Sequence, residues 1–211
     1  MIKAVIFDLD GVLADTEPLH ALARSQILEK FGLSEQTASP EAAIGIGKRF
    51  FWGKVIEKNH LACTSEELTK ADFDLVFQLI VESGLKPTEG LKDLLAYLKE
   101  SGIKTAVASS SDRSYVDRVL QHFQLTDYFF TSACGDEVKE AKPSPDVYLR
   151  ALQLCQVSAK DAYAVEDSSC GMLAAERAGI GCIAFGEQDG TAVFRAKTMK
   201  EILDYFSRSR A

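Results

Sequence analysis

The amino-acid sequence predicts an α/β fold, in which a doubly wound parallel sheet forms the core and an all-helical domain is inserted into it. Two observations support this prediction. Short apolar runs alternate with helical patterns along the second half of the chain, as in parallel sheets buried on both faces. Before them, residues 16–86 show helical patterns with no strand between them. We therefore expect residues 1–15 and 87–211 to form the core and residues 16–86 to form the insertion.

Each strand of the core is predicted from a short, nearly continuous apolar run. The runs are residues 3–7 (KAVIF), 104–108 (KTAVA), 128–131 (YFFT), 162–165 (AYAV) and 180–185 (IGCIAF). Between them, apolar residues recur at positions i, i+3, i+4 and i+7, which is the spacing of one helix face. This spacing begins at Leu91, at Val116 and at Tyr148, so it predicts three core helices.

The insertion is predicted to contain three helices, at residues 19–31, 48–60 and 65–83. Thr64 is a suitable N-cap for the third helix, and Glu66 and Glu67 supply acidic side chains to its first turn.

Composition excludes several classes of partner. The chain has 211 residues, of which 46% are hydrophobic and 26% charged, and this is enough for a large core. The net charge is −7 and no block of lysine or arginine occurs, so charge favours neither nucleic acid nor an anionic membrane. Any phosphate group must therefore be bound by local cations.

Cysteine usage and the N-terminus predict a cytoplasmic protein. The five cysteines are odd in number and lack CxxC spacing, which is typical of reduced thiols. The segment MIKAVIFDLDG is too short, and charged too early, for a signal peptide. No apolar run approaches the roughly 18 residues of a membrane span.

A pair of acids follows the first predicted strand, in the segment FDLDGVLADTEPLH (residues 7–20). Asp8 and Asp10 are two positions apart and so share one face where the strand ends. Ligand sites in doubly wound sheets lie beyond the carboxyl ends of the strands, and Mg²⁺ prefers oxygen ligands. A calcium loop is excluded because Val12 stands where that motif needs an acid or amide. A solvated turn remains the alternative for the acid pair taken alone.

Three further strand ends carry polar side chains. The residues after the second run, Ser109 to Asp112, can bind an anion through hydroxyl and backbone N–H groups. Lys142 precedes Pro143, and Glu166 and Asp167 follow the run at 162–165. Each feature has a simple alternative: a helix cap, a solvated lysine, or acids complementing a helix dipole. Their combination at neighbouring strand ends is more specific than any one of them.

The chain resembles the haloacid dehalogenase superfamily of phosphotransferases with a helical cap. It is similar in particular to the subgroup that holds β-phosphoglucomutase and the small sugar-phosphate phosphatases. Four segments, spread over essentially the whole chain, match the family motifs. They are FDLDGVLADTEPLH (7–20), VASSS (107–111), KPSPDVY (142–148) and VEDSSCGMLAA (165–175). The resemblance implies a Rossmann-like core with the helical insertion as its cap.

The resemblance also implies roles for individual residues. Asp8 would be the nucleophile that forms an aspartyl-phosphate, and Asp10 the general acid and base. Mg²⁺ would be held by Asp8, the backbone carbonyl of Asp10, and Asp167, with Glu166 close by. The phosphoryl oxygens would be bound by Ser109, Ser110 and Lys142.

The cap is expected to select the substrate. Thr16 and His20 lie where the cap begins, and the resemblance implies that His20 links cap closure to catalysis; an exposed polar position is its alternative. Ile44 stands where β-phosphoglucomutases have a lysine. Lys48 and Arg49 follow and are candidate ligands for a second anionic group, with a solvated helix start as the alternative.

From these observations we expect a monomeric, cytoplasmic, Mg²⁺-dependent phosphatase. Its substrate would be a small phosphorylated metabolite such as a sugar phosphate, with no nucleic-acid or membrane partner. A hexose-phosphate mutase that uses the same aspartyl-phosphate is the alternative. A non-catalytic phosphate-binding protein is a third hypothesis, disfavoured because every core motif residue is present.

Overall fold

The computed structural model describes residues 2–34, 36, 47–186 and 189–208. The chain divides into two compact units. The core unit comprises Met1–Asp15 and Lys86–Ala211, and the helical unit comprises Thr16–Leu85. Lys86, which the sequence analysis assigned to the insertion, belongs here to the core unit.

The core unit contains a parallel sheet. In the part of the chain that the structure describes, its strands are β1 (Ala4–Phe7), β2 (Lys104–Ala108), β3 (Thr131–Ala133), β4 (Ala162–Glu166), β5 (Gly181–Phe185) and β6 (Phe194–Ala196). They lie in the order β3-β2-β1-β4-β5-β6, and every neighbouring pair is parallel. The chain therefore moves outward from β1 in both directions, as in a doubly wound fold. The predicted fold class is confirmed.

Helices account for most of the other regular structure in the described residues. The helical unit has α1 (Glu17–Lys30), α2 (Lys48–Asn59) and α3 (Ser65–Ser83), and the core unit has α4 (Leu91–Glu100), α5 (Arg113–His122), α6 (Asp146–Cys155), α7 (Ser169–Arg177) and α8 (Met199–Arg208). None of the helices described here combines the length and apolar character needed to cross a membrane.

One strand prediction was wrong in position and one strand was not predicted. The segment at 128–131 is not a strand: Tyr128 ends a 3-10 turn, and β3 begins only at Thr131. Phe130 lies on the surface with 59% of its area exposed, so its apolar character did not indicate burial. The edge strand β6 has only three residues and gave no clear pattern.

Small side chains line one face of the sheet. Alanines from several strands form a buried cluster with residues of α6 and α7; they include Ala4, Ala106, Ala108, Ala133, Ala162 and Ala164. Because these side chains are short, helix α6 packs close enough for the fully buried Tyr148 to join the same cluster. The sequence of the sheet therefore makes room for a tyrosine beside the strand ends.

The helical unit has a core of its own. Phe51 and Trp52 of α2 are buried with Ile27, Leu28 and other apolar residues. The N-cap predicted at Thr64 is confirmed, and it forms part of a capping box. The Thr64 hydroxyl accepts a hydrogen bond from the Glu67 N–H, and the Glu67 carboxylate accepts one from the Thr64 N–H.

Candidate active site

The turn after β1 carries the first acid pair. The Asp8 N–H donates to the Val165 carbonyl (3.0 Å), so pairing with β4 continues one residue beyond β1. The chain then turns at Gly11, whose φ of +82° favours glycine. A Cβ atom at Gly11 would lie 1.9 Å from Oδ2 of Asp167, so a larger residue would displace that carboxylate. Gly11 thus allows the two acidic strand ends to approach each other.

Lys142 joins Asp8 to the end of β4. Its Nζ lies 2.6 Å from Oδ1 of Asp8, 2.5 Å from Oε1 of Glu166 and 2.9 Å from the Ala108 carbonyl oxygen. The side chain is buried, and its Nζ also lies 5.1 Å from the centre of the Tyr148 ring. Burial by itself lowers the pKa of Lys142, but the attraction of Asp8 and Glu166 outweighs it and leaves the pKa raised. Lys142 is therefore a cation in this site.

Glu166 is buried completely and is held from several sides. Tyr148 donates its hydroxyl to Oε1 at 2.6 Å, and Ser168 donates to Oε2 at 3.2 Å. Behind it, a Cβ atom at Gly171 would lie 2.0 Å from the carboxylate. Hydrogen bonds thus fix the orientation of Glu166, and the absence of a side chain at Gly171 leaves room for its carboxylate.

The arrangement of acids fits a divalent cation. Asp8, Glu166 and Asp167 each offer an oxygen, and these atoms lie within 4.8 Å of one another. Burial raises the pKa of Asp8; Lys142 opposes this effect, while the carboxylates of Glu166, Asp167 and Asp10 add to it. A set of hard oxygen donors suits Mg²⁺, and its charge would offset their repulsion.

The segment 109–112, here called the serine loop, follows β2 and leads into α5. The Ser109 N–H donates to the Ala133 carbonyl (3.1 Å), and the Ser109 hydroxyl accepts from the Ser111 N–H (3.0 Å). The Gly135 N–H donates to the Ser111 carbonyl at 2.9 Å. Ser110 is exposed, whereas Ser109 is buried. The loop therefore has a fixed backbone next to the N-terminus of a helix, which favours an anion.

The carboxylate of Asp10 has different hydrogen-bond partners from the carboxylate of Asp8. Its Oδ1 accepts a hydrogen bond from the Tyr115 hydroxyl (3.1 Å), and its Oδ2 accepts one from the Ser111 hydroxyl (3.0 Å). Asp10 thus contacts the serine loop and α5, whereas Asp8 contacts Lys142.

The predicted cap residues all belong to the helical unit. Thr16 precedes α1 and His20 lies in its first turns; both are buried. Lys48 begins α2 and forms an ion pair with the buried Asp72, which also accepts a hydrogen bond from Trp52 Nε1 (2.9 Å). Arg49 is exposed. Ile44 lies outside the described residues.

The sequence analysis did not assign individual roles to three polar residues that hydrogen-bond to the acids of the site. Ser111 stood within the quoted serine run, and Tyr148 stood at the end of the quoted KPSPDVY segment, so both had a local signal. Tyr115 had none, because its contact with Asp10 spans 105 positions.

The fold and the geometry together define a class of protein: a doubly wound α/β protein with an acid, lysine and serine site at the carboxyl edge of its parallel sheet. Comparison with known proteins gives the family. The model of the haloacid dehalogenase-like hydrolases matches residues 2–179, which is most of the chain. The protein therefore belongs to the haloacid dehalogenase-like hydrolases.

Individual relatives resemble the chain over most of their length. A phosphorylated carbohydrates phosphatase of Thermotoga maritima is 32% identical over 178 residues, covering 84% of this chain and 82% of the relative. The β-phosphoglucomutase of Bacillus subtilis is 30% identical over 193 residues, covering 88% and 84%. A crystal structure of mutant CbbY from Rhodobacter sphaeroides with xylulose-1,5-bisphosphate aligns with a TM-score of 0.81 at 28% identity, covering 95% of this chain and 96% of that one.

Proposed function

We propose that the protein is a Mg²⁺-dependent phosphatase that hydrolyses a small phosphorylated metabolite through an aspartyl-phosphate. One observation carries the proposal. Asp8 lies at the carboxyl end of the central strand and accepts a hydrogen bond from the buried Lys142. One of its carboxylate oxygens lies within 4.8 Å of an oxygen of Glu166 and an oxygen of Asp167. A nucleophile, a cation and a set of metal ligands thus meet at one point, which is what phosphoryl transfer requires.

The reaction would proceed in two steps. In the first, an Asp8 carboxylate oxygen forms a bond to phosphorus while the bond from phosphorus to the ester oxygen breaks, and Asp10 gives that oxygen its proton. In the second, Asp10 takes a proton from water, whose oxygen bonds to phosphorus as the bond to Asp8 breaks. Inorganic phosphate leaves, and both aspartates return to their initial state.

Each remaining core residue has a place in this scheme. Asp8, Asp167 and the Asp10 carbonyl would hold Mg²⁺, with Glu166 beside them. When bound, the ion would offset the negative charge of the phosphoryl group and the carboxylates. Lys142, Ser109 and the Ser110 N–H would bind the phosphoryl oxygens. For Lys142 this means sharing its ammonium between phosphate, Asp8 and Glu166, since its donors already face protein oxygens.

A sugar phosphate is the substrate class that the relatives favour. The curated relatives include a phosphorylated carbohydrates phosphatase, and a similar solved structure holds a sugar bisphosphate. We propose that the helical unit acts as the cap that recognises the sugar, with Thr16, His20, Lys48 and Arg49 as its candidate residues. The charge of Lys48 is already balanced by the buried Asp72.

That ion pair favours a phosphatase over a mutase. A mutase must hold a sugar bisphosphate in both orientations, so it needs a cation for the phosphate that is not reacting. Ile44 stands at the position of the family lysine. With Lys48 paired to Asp72, Arg49 is the other of the two candidate cations for that phosphate. The similarity to β-phosphoglucomutase keeps a mutase as the second candidate.

The two candidates differ in their products. With β-glucose 1-phosphate and Mg²⁺, we expect free phosphate and little glucose 6-phosphate when phosphate release and a coupled glucose-6-phosphate assay are run on the same enzyme. A panel of sugar monophosphates and bisphosphates, assayed for phosphate release, would then rank the substrates. Isomerisation with kcat/KM above about 10⁴ M⁻¹s⁻¹ and negligible phosphate release would identify a mutase instead.

A further inference from the structure

The hydroxyl of Tyr115 lies against the carboxylate of Asp10. Tyr115 is in the first turn of α5, is completely buried, and donates to Oδ1 of Asp10 at 3.1 Å. The other carboxylate oxygen, Oδ2, accepts from the Ser111 hydroxyl at 3.0 Å. Two side chains of the core unit therefore each donate a hydrogen bond to one oxygen of this carboxylate.

The two donors differ in their freedom to move. A buried tyrosine ring places its hydroxyl at one point, because the rigid ring has few torsions and its packing fixes them. The Ser111 hydroxyl can rotate about a single bond, although the backbone of Ser111 is held by Ser109 and Gly135. Tyr115 is thus the fixed contact of Asp10, and Ser111 the adjustable one.

This asymmetry assigns different tasks to the two oxygens of Asp10. We propose that Tyr115 is a positioning residue that anchors Oδ1 of Asp10, so that Oδ2 faces the ester oxygen and carries the transferred proton. The proposal rests on the function proposed above, in which Asp10 is the acid. Oδ2–H gives its proton to the ester oxygen as its bond to phosphorus breaks, and the Ser111 hydroxyl rotates to keep a hydrogen bond to Oδ2. A general acid that is free to rotate would lose part of this effect.

The dependence of the rate on the leaving group tests the proposal. Phenolate, with a pKa of about 10 as in tyrosine, needs a proton more than the less basic p-nitrophenolate. We expect Tyr115→Phe to lower kcat/KM, which reports the step in which the ester bond breaks, about tenfold with phenyl phosphate and by less than about twofold with p-nitrophenyl phosphate. An equal loss with both substrates, or no loss with either, would overturn the proposal.

Three further variants separate the possible outcomes. Tyr163→Phe is the matched control: its hydroxyl contacts that of Tyr205 (3.3 Å) near the start of β4, so neither rate should change. Ser111→Ala removes the other hydroxyl on Asp10 and should cause little selective loss. Selectivity as large as that of Asp10→Asn would assign the anchor to Ser111 and overturn the proposal, even if Tyr115→Phe failed to fold.

Asp10→Asn tests the underlying function. It should lower the rate with phenyl phosphate far more than with p-nitrophenyl phosphate. If Asp10→Asn shows this selectivity and Tyr115→Phe does not, only the role of Tyr115 is wrong. If wild-type protein with Mg²⁺ hydrolyses neither substrate, or Asp10→Asn shows no selectivity, the proposed function itself fails, and the role of Tyr115 with it.

Discussion

At the scale of single residues, Lys142 connects two carboxylates that would otherwise repel each other. Its ammonium lies within 2.6 Å of Asp8 and 2.5 Å of Glu166, in a buried environment. This arrangement is costly to break at the lysine, because removing it would leave two buried carboxylates without their cation. Lys142 is therefore important for the structure of the site, in addition to the phosphate binding proposed above.

The role of Asp8 can be tested by replacing it with asparagine. The amide retains the shape and the oxygen that accepts from Lys142, but it is a poor nucleophile. We expect Asp8→Asn to lower kcat by at least about 10³-fold, measured as phosphate release from a substrate of the wild-type enzyme.

The same substitution should not destabilise the protein without metal. Burial and the neighbouring acids raise the pKa of Asp8, so its charged form is disfavoured in the folded state, and a neutral amide avoids that cost. The thermal midpoint of Asp8→Asn in chelator should equal or exceed that of the wild type. In the kinetic test, phosphate release by Asp8→Asn within tenfold of the wild-type rate would refute the nucleophile role.

At the scale of elements, a glycine near the start of helix α7 leaves space for a side chain at the end of the neighbouring strand. In an ordinary helix, alanine in place of glycine stabilises by about 1 kcal/mol. At Gly171 the added Cβ would lie 2.0 Å from the Glu166 carboxylate. Either the helix or the carboxylate would have to move.

We therefore expect Gly171→Ala to destabilise the protein by about 1–3 kcal/mol, as overpacked sites do, and to lower activity. Denaturant unfolding and phosphate release would measure the two effects. Gly53→Ala in α2 is the matched control, since the nearest atom to its Cβ would be 3.9 Å away. It should be neutral or stabilising. Similar unfolding free energies for both variants would contradict the expected clash.

Elements were predictable where burial and hydrophobicity agreed. The strands β1, β2, β4 and β5 are buried along nearly their whole length, so their apolar runs were reliable signals. At residues 128–131 the two properties separate, because Phe130 is apolar and exposed. The three-residue β6 depends on pairing with β5 rather than on its own composition.

The site was predictable to the extent that strand ends meet at one edge. The approach of Asp8, Glu166 and Asp167 follows from parallel topology once the strands are known. Lys142 lies in a loop well beyond the end of β3, so the strand positions alone do not place it beside Asp8. The contact of Tyr115 with Asp10 depends on where the first turn of α5 lies relative to the turn after β1, which local sequence does not specify.

At the scale of the whole molecule, the acidic cluster should couple metal binding to stability. A ligand that binds only the folded state stabilises it by about 2.7 kcal/mol at 100 times its Kd. For a protein of this size that corresponds to an increase in Tm of about 5–10 °C. We expect Mg²⁺ to raise the melting temperature of chelated protein, measured against sodium chloride of equal ionic strength.

The variant Asp167→Ala should lose most of this increase, because it removes an oxygen of the cluster. Exhaustive chelation should also abolish phosphatase activity, and Mg²⁺ should restore it. A melting temperature that responds equally to Mg²⁺ in wild type and Asp167→Ala would show that the ion binds elsewhere.

The central position of β1 has a consequence for biosynthesis. The strand is made before its pairing partners, which are distant in the sequence: Ala4 lies opposite Lys104 on one side and Ala162 on the other. Contacts between residues so far apart in sequence form slowly, because the long loop between them must close first. As the chain leaves the ribosome, β1 therefore has no strand partner until β2 emerges, and its other edge stays unpaired until β4 emerges. A truncated or stalled chain that ends before β4 carries the proposed nucleophile but lacks Glu166 and Asp167, so an incomplete product cannot assemble the metal cluster.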